Sequence, residues 1–372
     1  MQHRLIGPVV LACLTLAAPA QAQEEGSDSP LYTFKTLADL TATSVKDQCR
    51  TGTCWSYSTT SFLESEAARI TGEVVDLSEM ASVRYTYPLK ADMYLRHHGL
   101  HQFGPGSLCH DVLNAASGYG LVPEFAFTGL DRGEGEHNHG ELDAVLEATM
   151  KALKGRSVLS DDWKDAVEGI CDAYLGPLPS AFEFEGKSYT PESFRDHLGI
   201  DPDAYVSLTS FTHHEFGETF VLEVPDNFSR GSFLNLPIED LTRLVRNAVM
   251  NGYTVAWDAD VSERGFSFKH GMALLPTKED KGKLWNEVIE EQKVSQADRQ
   301  RAFDSHATTD DHLMHIVGLA QDQNGDDYFV IKNSWGQDNP YGGRQYISMA
   351  YFDAKTIAVT MHQGALKSKK RK

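Results

Sequence analysis

The stretch Gln48-Cys49-Arg50-Thr51-Gly52-Thr53-Cys54-Trp55 constrains this chain more than any other. Thr51, Gly52 and Thr53 are small residues of the kind that cap a helix, which places a helix start near Cys54. Trp55, Phe62, Leu63, Ala67 and Ile70 follow on one helical stripe, and Gly72 is a good stop. A cysteine at a helix N-terminus sits where the helix dipole favours the thiolate, the reactive form. Gln48, six residues earlier, can direct its side-chain amide at an oxyanion formed when that thiolate attacks a carbonyl. The backbone N–H of Cys54 supplies a second donor. Alone, a cysteine before a helix reads better as a buried structural residue.

The balance changes near the other end of the chain. Asp311-His312-Leu313-Met314-His315-Ile316-Val317-Gly318 sets His312 at the mouth of an apolar strand, and Lys332-Asn333-Ser334-Trp335-Gly336 follows at the end of the next strand. A base must reach the thiol, and a third group must hold the imidazole in one tautomer. His312 and Asn333 on adjacent strands can do both. His315, three residues further along, points to the opposite face and reads as a core histidine. The fold must therefore bring Cys54 against a strand 258 residues away. With 372 residues and 41% hydrophobic content, the chain can build the core this requires.

Taken together, Gln-x5-Cys-Trp, a histidine opening an apolar strand and Asn-Ser-Trp-Gly, in that order, resemble papain-like cysteine peptidases. Within that group the chain is most similar to the bleomycin hydrolase or aminopeptidase C branch. Tyr119-Gly120-Leu121-Val122-Pro123, Gly176-Pro177-Leu178-Pro179 with Tyr189-Thr190-Pro191, and Arg301 through His312 extend the likeness, which covers roughly residues 45–366. The resemblance implies an α+β papain-like fold, with a helical left subdomain, a β-barrel-like right subdomain and a largely helical insertion at about 132–237. It implies Cys54 as nucleophile, His312 as general base and acid, Asn333 as orienter and Gln48 as oxyanion donor. Trp335 shields the Asn–His bond. Gly52, Thr53, Gly104 and Gly106 complete the substrate-facing set, although Pro105 between the last two removes one N–H donor.

The expected activity is peptide-bond hydrolysis through an acyl-enzyme, most plausibly from a free amino terminus. An endopeptidase and a catalytically silent peptide-binding relative are the alternatives; without any Cys-x-x-Cys pair, redox chemistry is disfavoured. In this branch the chain's own C-terminus lies in the groove and meets the substrate amine, and homo-oligomeric assembly limits access. Thr356–Leu366 is the corresponding segment here, followed by the basic tail Lys367–Lys372. No cofactor and no metal are expected. His97, His98, His101 and His110, with Asp92, His137 and His139, lack a recognised ligand spacing and read as solvated histidines. Asp322, Asn324 and Asp326 read as a polar hairpin turn, since no glutamate closes a calcium loop.

A formal charge of −19 repels phosphate backbones and argues against nucleic acid as a partner. Arg4, the apolar run Ile6–Ala18 and Ala20-Gln21-Ala22 form a signal-peptide pattern over residues 1–22, too short for a membrane anchor. Cleavage near Gln23 gives an exported protein, periplasmic or secreted, with residues 23–44 as a lead-in. The 31 residues from 23 to 53 that separate the cleavage site from Cys54 are too few for an inhibitory propeptide domain. Cys49, Cys54, Cys109 and Cys171 remain after cleavage; a Cys49–Cys109 bridge and a free Cys49 are both open, and Cys171 reads as buried. Helices are expected over 77–93, 108–117, 141–153, 162–174 and 238–250. Strands are expected over 219–224, 254–257, 313–320 and 328–332.

Overall fold

The computed structural model describes residues 31–130, 133 and 135–367. The signal-peptide pattern and all of the basic tail beyond Lys367 lie outside them. Helix α1 (Cys54–Thr71) opens on Cys54 and closes on Gly72, whose φ of 82° is a left-handed cap. Thr53 holds the N-cap position, but its hydroxyl pairs with that of Thr51 at 2.6 Å and caps nothing. Its carbonyl takes the first helical bonds instead, from the N–H groups of Ser56 and Tyr57. Every residue from Cys54 to Ala67 is buried, so α1 is a central helix and not an amphipathic surface one. Around it pack α2 (Glu79–Arg96), capped by the Ser78 hydroxyl, and α3 (Cys109–Gly118). Next come α4 (Gly140–Lys154), α5 (Asp162–Leu175) and α6 (Pro191–His197).

The strands in chain order are β1 (Lys35–Asp39), β2 (Phe182–Phe184), β3 (Lys187–Tyr189), β4 (Tyr205–Thr209), β5 (Thr219–Val221) and β6 (Ser232–Asn235). Then follow β7 (Val255–Ala259), β8 (Phe266–Ser267), β9 (Met272–Ala273), β10 (His312–Gln321), β11 (Asp327–Lys332), β12 (Arg344–Ser348) and β13 (Thr356–His362). All but the β2–β3 hairpin join one sheet in the order β5-β6-β4-β13-β7-β10-β11-β12-β9-β8, with β1 beside β10. The expected barrel-like half is thus an open sheet, with no closed barrel among the described residues. The insertion is also less helical than expected. Its first part forms α4, α5 and α6, but its second part supplies β4, β5 and β6, which lengthen the sheet.

Helix α7 (Ile238–Met250) packs against β10, β7 and α9 (Met349–Lys355) in one apolar cluster, while Leu313, Ala256 and Ala358 face the helices around α1 in another. Covered on both sides, β10 is buried from His312 to Ala320, and α8 (Gln296–Asp304) leads into it. The 322–326 segment is the expected polar turn: Asp322 Oδ1 accepts from the N–H groups of Asn324 and Asp326 at 2.8 and 2.9 Å.

The C-terminal segment corrects the expectation drawn from the resemblance. Thr356–His362 is strand β13, hydrogen-bonded between β4 and β7, so it cannot lie in a groove as free chain. Gln363–Lys367 turns against α7. His362 stacks on Tyr253, whose ring lies under the Arg69 guanidinium near the C-terminal end of α1. An 18-residue helix spans about 27 Å, so His362 lies by the end of α1 opposite to Cys54.

Candidate active site

β10 delivers His312 at its first residue, and β11 ends one residue before Asn333. Antiparallel pairing of the two strands brings the side chains together, and His312 Nε2 donates to Asn333 Oδ1 at 2.8 Å. Asn333 is fixed in turn: its Nδ2 donates to Gln345 Oε1 at 2.6 Å, and its Oδ1 also accepts from the Ser334 N–H at 2.7 Å. Trp335 stacks on the imidazole with centroids 4.5 Å apart and an interplanar angle of 27°. Sheltered from water, the His–Asn bond holds the ring with Nδ1 left for the thiol.

Gln48 is tied to the same wall. Its Oε1 accepts from Ser334 Oγ at 2.7 Å, its N–H donates to the Ser334 carbonyl at 2.9 Å, and its Nε2 donates to the Thr51 carbonyl at 2.8 Å. One amide hydrogen of the side chain remains for an oxyanion beside Cys54. The opposite wall comes from Gly104-Pro105-Gly106. Trp55 Nε1 donates to the Pro105 carbonyl at 3.0 Å, and Pro105 rests on Gly52 so closely that a Cβ there would lie 2.5 Å from its ring.

Cys54 is buried, and the Leu313 N–H is directed at its thiol, placing the sulfur against the residue after His312. Burial pushes the thiol up to about 12, opposed by that N–H and reinforced by the charges of Asp258, Asp226 and Asp310. Burial likewise lowers His312 to about 4, against the Asn333 bond. Neither group charges readily alone; the proton must pass from sulfur to imidazole so that both charges form together.

The remaining cysteines are free: Cys49 is partly exposed, and Cys109 and Cys171 are buried. Of the two readings of Cys49, the unbridged one describes this structure. His315 is fully buried and shares a 2.9 Å hydrogen bond with Ser61, as a core histidine does. His137 and His139 are buried rather than solvated, and burial lowers His139 to about 4. One group among the described residues has its ligand atoms close enough for a metal, His213, His214 and Glu223, but both imidazoles bond the carboxylate, at 3.1 and 2.7 Å.

Sequence reasoning missed a carboxylate cluster at the groove. Asp258 on β7 pairs with Leu313, and Asp310 lies two residues before His312. Asp226 reaches the same place from the loop between β5 and β6. Its N–H is directed at the Asp310 carboxylate, while its side chain lies on Gly106, where a Cβ would come within 1.9 Å of Asp226 Oδ2. The Gly106 carbonyl is already taken by Lys90 Nζ. Neither oxygen of Asp258 meets an N–H or O–H donor, leaving only a proton shared with Asp310. Burial, with the charges of Asp310 and Asp226, holds Asp258 well above the ordinary carboxylate range. Asp310 rises to about 8, again mainly through burial. Only the spacing of Asp310 to His312 hinted at this cluster; Asp226 and Asp258 carry no local signal.

A cysteine at a helix start, an imidazole held by an asparagine under a tryptophan, and an amide beside the thiol define a papain-like cysteine peptidase. The chain belongs to the Peptidase C1-like family, whose sequence profile matches residues 182–372. It is similar to aminopeptidase G of Lactobacillus delbrueckii subsp. lactis, with 25% identity over 368 residues, covering 87% of this chain and 82% of that protein. Aminopeptidase E of Lactobacillus helveticus is 29% identical over 283 residues, 68% of this chain and 62% of its own length. The fold is shared with the crystal structure of pepw from Lactobacillus rhamnosis HN001, at a TM-score of 0.70 and 17% identity over 89% of this chain and 82% of that one.

Proposed function

We propose that this cysteine peptidase is an aminopeptidase, with Cys54, His312, Asn333 and Gln48 as its catalytic residues. Cys54 Sγ attacks the carbonyl of the first peptide bond while its proton passes to His312. The Gln48 amide and the Cys54 N–H hold the oxyanion. His312 then gives the proton to the departing amine, and water, deprotonated by the same imidazole, releases the acyl group from sulfur. Peptides are the substrates, with no cofactor required by these steps.

The observation that carries the exopeptidase reading is the turn at residues 225–227. It runs from the Asp310 side of the groove to Gly106 on the other. In papain-like enzymes the Gly104–Gly106 stretch pairs with substrate backbone on the acyl side, so the turn leaves room for very little chain before the scissile bond. It is firmly built: buried Asn227 donates to the carbonyls of Leu222 and Gly231 and accepts the Gly231 N–H at 2.7 Å. Two similar proteins named aminopeptidases agree with this reading. Export also belongs to the proposal, supported by Arg4, the apolar run and Ala20-Gln21-Ala22.

The test is one peptide offered with a free and with an acetylated amino terminus. kcat/KM should favour the free form by about 10- to 100-fold, the range for a charged hydrogen bond made by only one of the two. Equal cleavage of both would replace the aminopeptidase reading with an endopeptidase one.

A further inference from the structure

We infer that the Asp226 carboxylate, backed by Asp310, receives the α-ammonium group of the substrate, a role that strand β13 is not positioned to fill. The inference rests on the aminopeptidase reading above. Its ligand class is a protonated primary amine one residue from the scissile carbonyl.

Position is the first argument. Asp258 pairs with Leu313, whose N–H faces the Cys54 thiol, and Asp310 lies two residues before His312, so the cluster lies beside the nucleophile. Asp226 also lies over Gly106, at the place where a longer acyl chain would continue. A group that both stops the chain and carries negative charge there is suited to an amino terminus. The cleft of about 620 Å³ beside it, between Glu223, Val224 and Pro225 on one wall and Phe303 and Thr308 on the other, shares Asp310 with the cluster. Its volume falls in the range of small-ligand pockets.

Charge is the second argument. Lys90 is the cation whose charge acts on Asp226 among the described residues, and its ammonium is buried, bonded to the Gly106 carbonyl and set over the Phe228 ring at 5.3 Å. Against this one cation stands the Asp226 carboxylate, with Asp310 and Asp258 beside it, the last 3% exposed and without a donor on either oxygen; burial keeps protons on these two, which an incoming ammonium can displace. Gln102 offers Asp226 only a long contact, Nε2 to Oδ1 at 3.4 Å. Carboxylates buried beyond the reach of enough donors are costly, and an incoming ammonium offsets that cost with charge-assisted hydrogen bonds. Asp226 is itself partly exposed, so it can make them.

The experiment compares wild type, Asp226→Asn and Asp226→Gly on three anilides: alanyl, its acetylated form, and propionyl, which lacks only the amine. Asp226→Asn keeps the shape of the turn, and should lower kcat/KM for the alanyl anilide by about 10- to 100-fold, mainly through KM. On the propionyl anilide its effect should vanish, because the partner of the charge is absent. Asp226→Gly, which removes the obstruction, should raise cleavage of the acetylated anilide relative to wild type. Removing the Asp226 charge eases thiolate formation, so Cys54 alkylation in Asp226→Asn should be no slower than in wild type, which separates a lost amine contact from a damaged nucleophile. An Asp226→Asn enzyme that loses alanyl and propionyl activity equally would make Asp226 a structural counter-ion of Lys90 and overturn the inference. Unchanged preference for the free amine in Asp226→Asn would overturn it as well while leaving the aminopeptidase reading standing. A wild type without that preference would instead remove the aminopeptidase reading, and this inference with it.

Discussion

Replacing Cys54 by alanine is expected to lower kcat by about 10⁵- to 10⁶-fold while leaving the fold intact, as loss of the nucleophile does in catalytic triads. The side chain is small and the cavity left by one sulfur is modest, so the thermal midpoint should move by only a few degrees. Cys54 is buried against the Leu313 backbone, and α1 keeps its carbonyl-made N-cap whatever residue follows Thr53. Peptide turnover and circular dichroism on the same preparation separate the two effects. Full activity in the variant would move the nucleophile elsewhere, and Cys49, Cys109 and Cys171 are poor candidates. Burial raises the thiols of Cys109 and Cys171 to about 11 and about 12, and neither lies beside a histidine held by an asparagine. Cys49 is raised as well, mainly by desolvation and by the charge of Asp47.

His312→Ala should be nearly as damaging, roughly 10⁴- to 10⁶-fold in kcat, and the Cys54→Ala/His312→Ala double variant no worse than Cys54→Ala alone. The pH dependence of alkylation distinguishes loss of the base from general damage. Burial pushes the isolated thiol up to about 12, so without an imidazole very little thiolate forms at neutral pH. The variant's alkylation rate should then climb about tenfold per pH unit through the alkaline range. In wild type the imidazole, lowered to about 4, stays available as a base down to that pH. Its alkylation should therefore be level from neutrality into mild acid and fall only as His312 is protonated. Identical profiles for the two proteins would deny His312 its role.

How much of this was legible in the sequence follows from the range of the interactions involved. Cys54 could be placed because a helix start is a local event, written in the small residues before it and the apolar stripe after it. His312 and Asn333 could be placed because each marks the end of a short apolar strand. The helix Ile238–Met250 was bounded correctly for the same reason: its acidic first turn and amphipathic body lie within it, and the Asn251-Gly252 stop follows at once. The grip on Gln48 by Ser334 and the hold of Gln345 on Asn333 were not legible, since they arise only once β11, β12 and the N-terminal loop are docked. The carboxylate cluster was hidden more deeply. Asp226, Asp258 and Asp310 come from a loop, a central strand and the approach to another, and apart from the closeness of Asp310 to His312 nothing local marks them among 53 acidic residues.

The C-terminal segment is the instructive miss. Its position was inferred from a resemblance, and Thr356-Ile357-Ala358-Val359-Thr360-Met361 is in itself a strong strand sequence. Pairing with both β4 and β7 uses its backbone groups on both edges, leaving none to lie along a substrate. In the proposed reading the insertion supplies the obstruction, because the same residues that extend the sheet through β5 and β6 carry the 222–231 loop toward Gly106 and Asp310.

The central claim is that Cys54 forms a thioester with the first residue of a peptide. Acid quenching during turnover of a free-amino peptide, followed by digestion and mass spectrometry, measures this directly. The account predicts an adduct on the fragment containing Cys54, with the mass of one aminoacyl residue, absent from Cys54→Ala. An adduct on any other cysteine, or one of several residues on Cys54, would contradict it.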